Sequence, residues 1–225
     1  MGEFPPLLIL KLINMKKILL LCILSTCIAC LPDSKDLGCR SLESIVEVEK
    51  KYITQASKQW FTNNIDLKDY QIVFFESIAV DAVVLDDKYG IPAEVTIAQA
   101  ILESGWGQSE LSKKANNYFG VKEYRKTKKG GKFETTEYLK GKKVIKIENF
   151  RVYDNVEHCL QDRAYWLYNN KRYQDVNWHT LNAFEFCEIL QDKKYATDPN
   201  YSKKLKRIIN SYKLTQFTLW LKMNC

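Results

Sequence analysis

The chain has 225 residues, 46% of them hydrophobic and 27% charged. It is long enough to bury one good core with appendages, and it is too apolar to be wholly disordered. The formal charge is +7 and falls to +5 once residues 1–29 are set aside. That excess favours anionic polymers or surfaces without choosing among acidic wall polymer, anionic lipid and nucleic acid. Neither a Gly-rich phosphate loop nor a nucleic-acid motif accompanies the lysine runs at 126–132, 140–146 and 203–207, so they read as solvated faces and turns and no nucleic-acid partner is expected.

Residues 1–30 read as an address label. From Met15, a natural start for the chain, the sequence is MKKILLLCILSTCIAC: two lysines, an apolar run from Ile18 to Leu24, then small residues before a cysteine. This is a secretory layout, with an apolar run too short for a comfortable transmembrane helix. Its ending resembles a bacterial lipoprotein signal, with Cys30 as the expected lipidation site and Cys27 as the alternative. An uncleaved membrane anchor is the competing reading. Export leaves Cys39, Cys159, Cys187 and Cys225, which allow three pairings in an oxidising compartment. Cys159 and Cys187 fall in predicted helices and read most simply as buried thiols. No cysteine has metal-ligand spacing and the only histidines are His158 and His179, so neither a metal site nor a cofactor is expected.

Residues 31–70 read as a tether and an N-terminal helix, with Trp60 and Phe61 available to dock. A stronger helical period follows from Tyr70 to Tyr89 (Ile72, Phe75, Ile78, Ala79, Ala82, Val83). The stretch Ile91–Gly107, IPAEVTIAQAILESGWG, is the most informative. Pro92 suits a first helical turn. Val95, Ala98 and Leu102, widened by Ile97 and Ile101, make a buried stripe, and Gly105 and Gly107 end the helix. Glu103 stands out in its last turn, where the macrodipole favours a cation. Burial and the dipole both push such a carboxyl to hold its proton, and a carboxyl protonated near neutral pH is what a general acid needs. The plain alternative is a solvated Glu at a frayed helix end.

Ser109 to Ala115 predicts a further helical turn, and Asn116–Lys122 breaks the period. Between 121 and 153 the chain changes character. Turn signals at Gly130-Gly131 and Lys140-Gly141-Lys142 flank β-prone segments at 133–139 and 144–147, predicting a small antiparallel sheet of two or three strands. Glu137 lies in one of them and faces either a groove floor or water. Helices resume after Asp154, with Glu157 completing a capping box. Thr180 or Asn182 caps the next, and Asp198-Pro199 opens the last core helix. Residues 215–225, with Trp220 and Leu221, read as a C-terminal tail.

Taken together, AQAILESGWG (98–107), NNYFGVK (116–122), TTEYLKG (135–141), FRVYDNVEHCLQDRAYWL (150–167), RYQDV (172–176) and YATDPNYSKKLKRII (195–209) resemble the bacterial glucosaminidase family. These are the family 73 glycoside hydrolases, which include autolysins and flagellum-associated peptidoglycan hydrolases. The resemblance covers 71–214. It implies an α+β, mainly α fold: a lysozyme-like helical domain with a small antiparallel β-lobe near 121–153 and a groove between them. It also implies a peptidoglycan hydrolase that cleaves the β-1,4 bond on the reducing side of N-acetylglucosamine. Residue by residue, Glu103 matches the catalytic acid and Glu137 the second acidic residue on the lobe. Tyr195 matches an aromatic residue that positions the substrate's N-acetyl group, with Tyr201 held in reserve for that role. Asn117, Tyr118 and Phe119 look like groove residues. Trp106 joins them, more as packing beneath Glu103 than as a sugar contact. The implied partners are peptidoglycan glycan strands and, through the leader, a membrane. A lytic transglycosylase or muramidase on the same polymer is the first alternative, and a non-catalytic wall-binding lipoprotein the second.

Overall fold

The computed structural model describes residues 55–123, 130–139 and 142–224. The leader with Cys27 and Cys30, the rest of the chain up to residue 54 with Cys39, residues 140–141 of the second turn signal, and Cys225 lie outside the described residues.

Helical spacing produces most of the elements. Helix α1 runs over residues 55–64 and places Phe61 wholly inside. Helix α2, Asp69–Tyr89, buries Phe74, Phe75, Ile78, Ala79, Ala82 and Val83 along one side. Gly90 ends it in the left-handed region at φ 68°. A Cβ there would sit 2.8 Å from the carbonyl carbon of Trp178, so only glycine lets the chain turn this tightly against the 178–180 segment.

Helix α3, Ala93–Ser104, follows at once and is buried nearly all round, including Val95, Ile97, Ala98, Ala100 and Ile101. Pro92 is its N-cap, one position ahead of the expected first-turn place. A helix apolar on every side belongs at the centre of a bundle, and α3 touches α2 and all three helices that close the chain. Helix α4, Glu110–Ala115, is a short turn capped by Ser109, whose hydroxyl accepts from the Ser112 N–H.

Two antiparallel strands, β1 (Gly130–Leu139) and β2 (Lys142–Arg151), form the lobe, with Glu137 opposite Val144. A third strand reduces to a single bridge between Lys122 and Phe150. Phe150 anchors the ribbon at its base, while Ile145 and Ile147 remain exposed further out. Helix α5, Val156–Asn169, starts one residue later than expected: Asn155 caps it, accepting from the His158 N–H. Asn182 and Glu185 form the capping box of α6, Ala183–Asp192.

Helix α7, Tyr201–Ser211, follows the Asp198-Pro199 signal. The expected tail is a further helix, α8, Leu214–Asn224. Leu214, Phe217 and Leu221 are fully buried, and the Phe217 ring lies 4.3 Å from that of Phe61, itself stacked 3.8 Å from Phe75. Cys159 and Cys187 are free buried thiols, both pushed by burial up to about 12. Among the described residues no helix is long and apolar enough to cross a membrane.

Candidate active site

Helix α3 delivers Glu103 one residue before its end. The turn that follows is unusual: Gly105, Trp106 and Gly107 have φ of 57°, 63° and 70°. Tryptophan rarely adopts this conformation, and its persistence shows that packing over-determines it. The Trp106 ring is held 4.6 Å from Tyr212, 5.4 Å from Phe75 and 5.5 Å from Phe74. Ser104 closes the turn, donating to the Ala100 carbonyl and accepting from the Gly107 N–H at 2.7 Å. Trp106 is thus a half-buried residue that packs against the core and fixes the turn beyond Glu103.

Glu103 itself is open to solvent. Its Oε1 accepts a hydrogen bond from the Tyr201 hydroxyl at 2.8 Å. Burial of the carboxyl raises its pKa above the ordinary value, while Tyr201, Arg163 and Lys204 pull the other way without reversing it. Solvent on the open side tempers the effect. The groups that act on the carboxyl, Tyr201, Arg163 and Lys204, lie far away in the chain.

Those residues form a polar network. Tyr201 is buried and also receives the Gln99 Nε2–H at 2.8 Å. The Gln99 carbonyl oxygen accepts from Arg163 Nη2, and Arg163 Nη1 donates to Thr96 Oγ1 at 2.9 Å. Arg163 is 2% exposed, and its guanidinium lies 5.3 Å from the Phe119 ring centre, in cation–π contact. Tyr195 stacks on Tyr201 at 5.6 Å and meets Trp166 edge-on at 6.2 Å. Burial pushes its hydroxyl up to about 12, with Arg163 beside it lowering it and Glu103 raising it.

The other expected site residues separate. Asn117 is buried, and its two amide donors are occupied by the carbonyls of Val121 and Arg151, at 2.9 and 3.0 Å. Its oxygen accepts from the Val121 N–H. This corrects its place among substrate-binding residues: its side chain holds the loop to the base of the lobe. Phe119 is likewise a core residue, 7% exposed. Tyr118 is half-buried, with its ring 6.1 Å from Phe74. The backbone of Glu137 sits in β1, and its side chain lies outside the described residues.

A cleft of about 800 Å³ opens between the end of β2 and α5. Glu123, Arg151, Tyr153, Asp162 and Trp166 line it, and Glu103 does not. Asp162 accepts from Arg151 at 2.6 Å and from the Tyr153 hydroxyl at 2.7 Å, tying lobe to helix. The row Trp166, Tyr195, Tyr201 leads from this cleft to Glu103.

Sequence reasoning missed Gln99 and Arg163. Gln99 could have been found: it lies four residues before Glu103, on the same helix face, and is a polar side chain in an apolar run. Among the described residues no His, Cys, Asp and Glu cluster suited to a metal is present.

The model of the glucosaminidase family, described as mannosyl-glycoprotein endo-β-N-acetylglucosaminidase, matches residues 79–214. The chain belongs to the glucosaminidase family. Exo-glucosaminidase LytG of Bacillus subtilis is 40% identical over 154 residues, covering 66% of this chain and 54% of LytG. A probable N-acetylmuramidase of Lactococcus lactis is 43% identical over 64% of this chain and 34% of its own length. The chain therefore spans about a third to just over half of these relatives. Among solved structures, the catalytic domain of the Listeria monocytogenes autolysin Auto superposes with a TM-score of 0.59. It is 32% identical, over 72% of this chain and 96% of that one. The glycoside hydrolase domain of Salmonella typhimurium FlgJ gives 0.53 at 34% identity, over 65% and 99%. This is the lysozyme-like architecture of the glucosaminidases, a mostly helical body with a two-stranded lobe.

Proposed function

We propose that this glucosaminidase-family chain is a peptidoglycan hydrolase with Glu103 as its general acid. The observation that carries the reading is the Glu103 carboxyl: reachable from solvent, inclined to keep its proton, and held by the buried Tyr201 hydroxyl at 2.8 Å. The relatives' names support the substrate class, since LytG is an exo-glucosaminidase and FlgJ and Auto a peptidoglycan hydrolase and an autolysin.

In the proposed step Glu103 passes its proton to the glycosidic oxygen as the C1–O bond breaks, and that oxygen leaves with the bonding electrons. Water adds its hydroxyl to C1 and gives up a proton to Glu137, or follows attack by the substrate's own acetamido oxygen. Tyr195, anchored between Trp166 and Tyr201, faces the N-acetyl group. Trp166, 42% exposed, offers a stacking face where the cleft meets the aromatic row. The bond assigned is the one on the reducing side of N-acetylglucosamine.

Digestion of sacculi by wild type and Glu103→Gln, borohydride reduction and mass spectrometry of the new ends tests this. Reduced N-acetylglucosamine ends formed by wild type alone are expected, with kcat of the variant lower by about 10²–10⁴. Muramic-type ends would reassign the bond, a point sharpened by the muramidase name of the Lactococcus relative. Anhydro-muramyl ends would make it a transglycosylase.

Export and anchoring at the cell wall complete the reading. They rest on the signal-like residues 15–30 and on Cys30, and the tether to residue 54 would give the domain reach. Metabolic labelling with a fatty acid should tag wild type and not Cys30→Ala; a label retained by that variant and lost in Cys27→Ala moves the anchor to Cys27.

A further inference from the structure

We propose that Arg163 and Gln99 are positioning residues that set the direction of a hydrogen-bond relay ending on Glu103, and so decide which carboxyl oxygen carries the acidic proton. The inference rests on Glu103 being the acid and extends that reading to residues on two other helices.

The argument is one of donors and acceptors. Arginine can only donate. The bond from Arg163 Nη2 must therefore meet the carbonyl oxygen of Gln99, which turns the Gln99 NH₂ group toward Tyr201. Tyr201 then accepts from Gln99, and its single hydrogen is left for Glu103 Oε1 at 2.8 Å. A neutral carboxyl accepts best at its carbonyl oxygen, so Oε1 takes that role and the proton rests on Oε2. Oε2 is then the oxygen that meets the glycosidic bond.

Each member is locked. Arg163 is 2% exposed and held at its other terminal nitrogen by Thr96. Gln99 is wholly buried on α3, one turn before Glu103. Tyr201 is fixed by its stack on Tyr195. The charged and titratable groups facing Glu103 are Tyr201 and Lys204 from α7, Arg163 from α5, and Tyr195 from the segment before α7. Lys204 is paired to Asp198 at 2.5 Å, outside the relay.

The sharpest test reverses the relay while keeping its shape. In Gln99→Glu the new carboxylate accepts from both Arg163 and Tyr201, so the tyrosine turns its hydrogen away and offers Glu103 a lone pair. The Glu103 proton then moves to Oε1 and points into the protein. The expected result is kcat lower by about 100-fold with KM within about twofold. The basic limb of the kcat profile should move to higher pH, together with the ¹³C-carboxyl titration of Glu103, at a melting temperature near wild type.

A wild-type kcat, pH limb and Glu103 titration in Gln99→Glu, alongside an inactive Glu103→Gln, would overturn the relay and leave the acid assignment standing. An active Glu103→Gln would instead remove the acid assignment itself. If Gln99→Glu does not fold, Tyr201→Phe keeps the stacked ring and cuts the last link. Its kcat should fall about tenfold with KM unchanged and the Glu103 titration raised; an unmoved titration overturns the proposal.

Discussion

Glu103 combines two properties that pull against each other, exposure to solvent and reluctance to ionise. Because its folded-state pKa is raised, the native state binds this proton more tightly than the unfolded chain does. The stability it contributes is fully present below the ordinary value of 4.5 and is lost as pH rises through the folded-state value. Glu103→Gln removes that loss. Its melting temperature should match wild type near pH 4, rise above it as pH increases and hold the gap at neutral pH. Glu94, also raised by burial, is present in both proteins and cancels in the difference. A gap that narrows toward neutral pH would mean the carboxyl is better accommodated as an anion. A raised carboxyl of this kind costs stability at neutral pH, a common compromise at working sites.

The loop between α4 and the lobe depends on one amide. Asn117 joins the carbonyls of Val121 and Arg151, bridging the chain entering the lobe to the strand leaving it. Asn117→Ala takes one donor from each of the Val121 and Arg151 carbonyls and the acceptor from the Val121 N–H, and should destabilise the fold by about 1–3 kcal/mol, read by urea unfolding. Glu103→Gln measured beside it should show no such loss. The elements themselves were largely legible. Periodicity and caps placed α2, α3, α6 and α7 within a residue or two, and paired turn signals placed the lobe. What could not be read was long-range: Arg163 lies 64 positions and Tyr201 102 positions from Gln99, and no local spacing encodes that meeting. Asn117 was misjudged for the same reason. A polar residue in a loop reads as available until the fold shows both its donors engaged.

Across the molecule, the catalytic candidate sits on α3, which packs against α2 and the three helices that close the chain, while the lobe extends from the body as a two-stranded ribbon. The body holds Glu103 within a buried polar network, and the lobe, where Glu137 resides, is tied down at its base by Phe150, by the Asn117 amide, by the Arg151–Asp162 contact and by the Lys122–Glu148 ion pair. The first and last described helices meet along an aromatic seam of Trp60, Phe61, Phe75 and Phe217, with Lys213 donating to the Asn64 carbonyl at 3.1 Å. Tension arriving through the upstream segment therefore falls first on this rivet of rings beside α8, whose Thr218 grips Glu94 near the start of the acid's helix. A pull on the chain at residue 55 would open that rivet before the hydrogen bonds around Glu103 were strained.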